Sequence, residues 1–190
     1  MRFLIIFLLL LLTACQPNGE TNRTVNMYNQ DGSMIGTAKL TERPDGVQVK
    51  LKLEGLEPGF HGIHVHEFAK CKTPDFKSAG NHLNPGGMEH GLMHPEGAHL
   101  GDLPNIEADS GGLSEAELML PKATLLDGKN SLTEDDGTSL VITAGMDDGV
   151  SQPGGDSGPR IACGKITSND KSPGSSPTDP TQYNEKQEEK

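Results

Sequence analysis

The sequence predicts an all-β fold, a sandwich or barrel with two long functional loops, on three observations. Apolar and polar residues alternate: Val47, Val49, Leu51 and Leu53 are separated by Gln48, Lys50 and Lys52, the pattern of a strand with one buried face. Asp31-Gly32 and Asp45-Gly46 sit between apolar runs as turn signals. No stretch carries a helical period. With no Trp, two Tyr and 24 Gly, the core must be aliphatic and the connections long.

Further strands follow in order. In GFHGIHVHE, residues 59–67, a strand would send Ile63 and Val65 into the core and His64 and His66 to the other face. Ala116, Leu118 and Leu120 alternate with polar neighbours, and Ser139 to Ile142 and Arg160 to Ile166 read as strands. Two segments are too long and polar to be turns: Glu67 to Asn105, and Ala144 to Pro159. Long loops on a rigid sheet are where chemistry concentrates.

The ends differ from this body. Arg2 precedes an apolar run from Phe3 to Leu12, too short to span a bilayer as a mature helix and matching a signal-peptide core. It ends in Leu-Thr-Ala-Cys, which resembles the bacterial lipobox. That resemblance implies a signal peptide over 1–14, lipidation of Cys15, a tether over 15–23, and a protein exported and lipid-anchored to the outer face of the bacterial cell membrane. One domain is expected over 24–167. Residues 168–190 hold almost no apolar side chain and are expected to be disordered.

The formal charge is −11, and loss of residues 1–14 would remove only Arg2. So acidic a chain is a poor partner for nucleic acid or for an anionic membrane surface. Beyond Cys15, the cysteines are Cys71 and Cys163. An even pair in an exported domain reads as one disulfide, with two free buried thiols as the alternative.

Two histidines at i, i+2 are by themselves a weak metal signal. The loop after them strengthens it: His82, His90, His94, His99 and Asp102 fall within 21 residues. Three His and one Asp suit a closed tetrahedral zinc site, and a bound metal would order a loop with so few apolar residues. The plain alternative is a solvated, His-rich loop.

At this point the chain resembles the copper/zinc superoxide dismutase family in its bacterial exported form. The matching stretches are GFHGIHVHE (59–67), SAGNHLNP (78–85), HG (90–91), HLGDLPN (99–105), DD (147–148) and GPRIACG (158–164), in the family's order. The resemblance spans about residues 24–167. It implies a Greek-key, immunoglobulin-like β-sandwich or barrel, an architecture this family itself exemplifies. It implies Zn2+ and Cu2+/Cu+ as cofactors, with superoxide as substrate and O2 and H2O2 as products. Copper ligands would be His64, His66 and His82, with His82 shared with zinc. His90, His99 and Asp102 would complete the zinc site. Asp147 would link a copper-ligand His to a zinc-ligand His, Arg160 would attract and position superoxide, and Cys71–Cys163 would be the family's disulfide. His61 matches a structural histidine, and His94 matches no ligand.

One departure stands out. The family's fourth copper histidine lies shortly before the Asp-Asp pair, where this chain has Thr143, and no His occurs after His99. Imidazole is much the better copper ligand than an alcohol, so weakened copper binding is expected. Met146 is a nearby soft thioether. In addition, residues 144–159 contain no Lys or Arg, so steering of an anion falls to Arg160. Three functions remain open: a dismutase with an incomplete copper site, an extracytoplasmic zinc/copper carrier, or a structural protein without activity. Monomer and homodimer are both open.

Overall fold

The computed structural model describes residues 21–168. The expected signal peptide, Cys15, and all but the first residue of the 168–190 tail lie outside them.

Among the described residues, nine strands form: β1 (Asn22–Asn29), β2 (Met34–Arg43), β3 (Gly46–Leu53), β4 (Gly59–His61), β5 (Ile63–His66), β6 (Ile106–Ala108), β7 (Ser114–Pro121), β8 (Thr138–Thr143) and β9 (Arg160–Ile166). Seven make an antiparallel sheet in the order β5-β8-β9-β1-β2-β3-β7, and β4 pairs with β6. Strand β4 runs into β5 through Gly62, and β6 packs beside β7, so the short pair bridges the two ends of the curled sheet. Strands β1 to β3 are joined by tight turns, while β9 returns from far along the chain to lie beside β1, the Greek-key order.

The alternation in β3 does what the sequence predicts. Val47, Val49, Leu51 and Leu53 are buried, and outside Lys50 and Lys52 pair with Glu117 and Glu115 of β7 at 3.1 and 2.7 Å. Leu40, Ile63, Val65, Leu120, Leu140, Ile142 and Ile166 complete an aliphatic core. The Asp31-Gly32 turn is built by Asn29, whose Oδ1 accepts the N–H groups of Asp31 and Ser33 at 3.1 and 2.9 Å.

Both long loops appear with the expected limits, between β5 and β6 and between β8 and β9. A third long connection, residues 122–137, was not expected. It buries Leu125 and Leu132, and Glu42 of β2 accepts from Thr124 Oγ1 and Leu125 N at 2.9 and 2.6 Å. The 67–105 loop is tied to β9 by a Cys71–Cys163 disulfide, packed with Phe76, Ala79 and Val141.

Candidate metal centre

Strand β5 fixes the first half of the site. Its period of two sends Ile63 and Val65 into the core and turns His64 and His66 under the 67–105 loop, where both are buried. That loop folds back on β5: Leu83 N donates to Val65 O at 2.8 Å, and Val65 N donates to Gly101 O at 2.8 Å. The fold-back delivers His82, His99 and Asp102 to the imidazoles of β5.

Three groups of side chains result, the candidate ligand atoms of each lying within 4.8 Å of one another: His82, His90, His99 and Asp102; His64, His66 and His82; and His64, His90 and Asp147. In the first, Asp102 Oδ1 lies 2.9 Å from His82 Nδ1, 3.2 Å from His90 Nδ1 and 3.3 Å from His99 Nδ1. Asp102 Oδ2 accepts the N–H groups of Gly91 and His99, both at 3.0 Å, which orients the carboxylate. Three nitrogens and one oxygen converging from one loop is the donor set of a zinc site.

In the second group, the rings of His64 and His82 stack with centroids 4.0 Å apart. His64 Nε2 donates to Asp147 Oδ2 at 2.6 Å, leaving the lone pair on Nδ1. His66 Nδ1 donates to Gly80 O at 3.0 Å, leaving the lone pair on Nε2. Both free nitrogens are buried with no hydrogen-bond partner. Buried polar atoms are rarely left so, and two aimed at one place fit a metal ion. In the third group, Asp147 Oδ1 takes His90 Nε2–H at 3.1 Å, so one carboxylate joins His64 to His90.

The electrostatics keep these groups ready to bind. Burial, reinforced by His82, lowers the His66 pKa to about 3, and burial lowers that of His82 to about 4 against the pull of Asp102. Both rings are therefore neutral at pH 7, with lone pairs free. Burial pushes the Asp102 and Asp147 carboxyls up, but hydrogen bonds from their histidines and from the Gly91 and Gly149 N–H groups outweigh it. Both are held well below the usual carboxylate range.

Arg160 opens β9 beside this cluster. Its Nη1 and Nη2 donate to Phe76 O at 2.9 Å and Gly80 O at 2.7 Å. A cavity of about 430 Å³ is lined by His66, His82, Thr143, Ser157 and Arg160 among others. Thr143 ends β8 and is buried, its Oγ1 donating to Gly62 O at 3.2 Å. Met146 is exposed, and His94 joins none of the three groups. His61 lies between Thr143 O at 2.9 Å and Glu57 O at 2.7 Å, as a structural histidine would. Asn105 and Gln152, which sequence reasoning did not assign, hold the backbones of Asp147 and His90. Asn105 belongs to the HLGDLPN stretch, whereas Gln152 carries no local signal because its partner is 62 residues away.

The model of the copper/zinc superoxide dismutase family (SODC) matches residues 34–166. Superoxide dismutase (Cu-Zn) 2 of Aquifex aeolicus (strain VF5) is 45% identical over 159 residues, covering 83% of this chain and 93% of the relative. The superoxide dismutase-like protein YojM of Bacillus subtilis (strain 168) is 36% identical over 148 residues, covering 76% of each. Among solved structures, a SOD-like protein from Bacillus subtilis superposes with a TM-score of 0.73 at 34% identity, covering 75% of this chain and 97% of that one. The Cu/Zn superoxide dismutase from Brucella abortus superposes with a TM-score of 0.64 at 32% identity, covering 77% and 99%. With the strand order, the two long loops and the histidine clusters, these matches establish that the chain belongs to the copper/zinc superoxide dismutase family, whose cofactors are copper and zinc.

Proposed function

We propose that this protein is a superoxide dismutase with weakened copper binding. His82, His90, His99 and Asp102 hold zinc, His64, His66 and His82 hold copper, and Thr143 stands where a fourth imidazole is missing. The observation that carries this reading is the pair of buried, unpartnered nitrogens, His64 Nδ1 and His66 Nε2, grouped with His82.

When bound, copper supplies the one-electron chemistry that turns two superoxide anions into O2 and H2O2, while zinc supplies charge and order without redox change. The chain's own groups do the remaining work. Asp147 and the Gly80 carbonyl fix the tautomers of His64 and His66, so each presents a lone pair and not a proton. His82 Nδ1 lies 2.9 Å from Asp102 Oδ1, on the side of the zinc set, so its Nε2 would be the nitrogen left to serve the copper set and could hold a proton when no metal takes it. Arg160, braced on two carbonyls at the cavity wall, offers its remaining N–H donors and its charge to the incoming anion.

The weakness follows from Thr143. Its hydroxyl is a poorer copper ligand than imidazole, and its oxygen sits between two backbone carbonyls, Gly62 O at 3.2 Å and Gly145 O at 3.4 Å. A second reading rests on that residue and on the superoxide dismutase-like relative from Bacillus subtilis: an extracytoplasmic zinc/copper carrier or structural protein without dismutase activity. Arg160 favours the enzyme, since storage has no use for an anion-receiving guanidinium at the cavity.

Metal content and dismutase turnover, measured on protein loaded with zinc and then copper, separate the two. Bound copper with turnover supports the enzyme; one zinc, little copper and no turnover in folded protein supports the carrier or structural reading. Thr143→His should raise copper affinity and turnover together, and unchanged copper binding would place the missing ligand elsewhere. We further infer export and anchoring through lipidated Cys15, as monomer or homodimer, with no nucleic-acid partner. Cys15→Ser should then move the protein to the soluble fraction.

A further inference from the structure

Two side-chain amides cross between the long loops in opposite directions. From the 144–159 loop, Gln152 Oε1 accepts His90 N–H at 2.8 Å and Nε2 donates to His90 O at 2.9 Å. From the 67–105 loop, Asn105 Nδ2 donates to Asp147 O at 2.8 Å and Oδ1 accepts Asp147 N–H at 2.8 Å. Each amide acts on its target as a neighbouring strand would, taking both the N–H and the C=O of one residue. The two targets are themselves bonded, His90 Nε2 to Asp147 Oδ1 at 3.1 Å.

The loops need such a device. Among the described residues they share one backbone–backbone hydrogen bond, Met93 N to Gly149 O at 3.2 Å. They press together closely there: a Cβ on Gly91 would overlap Gly149 O, and one on Gly155 would come within 2.8 Å of His90 Nε2. Leu92, Met93 and Val150 nearby are exposed, so apolar packing does not set the register. Two bonds to one residue fix its rotation as well as its distance, and His90 needs both. Its Nδ1 must face Asp102 while its Nε2 faces Asp147.

We propose that Gln152 is a positioning residue of the metal centre: by clamping the His90 backbone, it keeps Asp102, His90, Asp147 and His64 in one preassembled chain before any metal arrives. This rests on the reading of His90 as a zinc ligand. Gln152 is exposed and outside the aliphatic core, so its replacement should leave the fold intact.

The test is Gln152→Leu in the otherwise unchanged protein. Zinc affinity, read by competition with a chromophoric chelator, should fall about 10-fold, the low end for groups that orient metal ligands. The visible spectrum of Co2+ bound in place of zinc should change, a signature that loss of stability alone would not produce. In the metal-free protein, amide hydrogen exchange at His90 should accelerate, with the strands unaffected. Wild-type zinc affinity in the variant would overturn the clamp and leave the zinc reading standing. Wild-type protein that takes up no zinc would overturn both. Unchanged exchange at His90 would show that the amide contributes nothing to its position.

Discussion

Asp147→Asn is the perturbation that most directly probes how the two proposed metal sites are linked. The carboxylate accepts from His64 Nε2 at 2.6 Å on one oxygen, and from His90 Nε2 at 3.1 Å and Gly149 N at 2.6 Å on the other. Asparagine has the same shape but keeps one acceptor. With its oxygen toward His90 and Gly149, its NH2 meets the His64 N–H and no bond forms. A hydrogen bond to a charged partner is worth about 1.5–3 kcal/mol. At about 1.4 kcal/mol per factor of ten, copper affinity should fall roughly 10- to 150-fold. Zinc affinity should fall less, because His90 keeps its acceptor and Asp102 is untouched. Chelator competition for each metal on wild type and variant gives both numbers. Copper affinity within twofold of wild type, or a larger loss for zinc than for copper, would refute the argument.

Arg160→Gln should lower kcat/KM by about 10-fold, the loss of one short-range, charge-assisted hydrogen bond to the anion at the cavity wall. The wild-type rate should depend only weakly on salt, because residues 144–159 carry no other cation; a steep salt dependence would contradict this. Cys71→Ser should destabilise the protein by about 4.5 kcal/mol through the loop opened in the unfolded chain, as measured by denaturant unfolding under non-reducing conditions. Metal-free protein should lose stability on mild acidification. His66 and His82 titrate near 3 and 4 when folded against 6.5 when unfolded, foremost through burial, so the unfolded chain binds more protons in between. This contribution is complete above about pH 6.5 and declines toward pH 4 and below; a melting temperature that does not fall between pH 7 and pH 4 would contradict it.

What was legible in the sequence followed local rules. The period of two in β3 and β7 survives because one face meets the core and the other meets water. The histidines of β5 and the following loop were legible because their side-chain types have few other uses at such density. Strand β6 was not foreseen, nor was the division of residues 59–67 into β4 and β5: three residues leave no period, and β4 and β6 each exist because the other pairs with it. The 122–137 connection was missed because its order comes from Glu42, more than 80 residues earlier. Gln152 was missed for the same reason. A neutral amide in a polar loop looks like any other until the chain brings His90 beside it.

The Gly80 carbonyl accepts both His66 Nδ1 and Arg160 Nη2. One peptide group thus serves the ring proposed to face copper and the guanidinium proposed to receive the anion, and under that reading the two functions cannot be tuned separately. A substitution that shifts this peptide to strengthen substrate capture also rotates the imidazole, and one that improves the imidazole moves the receptor. Any variant of this site selected on turnover must improve both at once or find its gain elsewhere. Thr143, whose own bonds run to Gly62 and Gly145, is a neighbouring position free of that constraint.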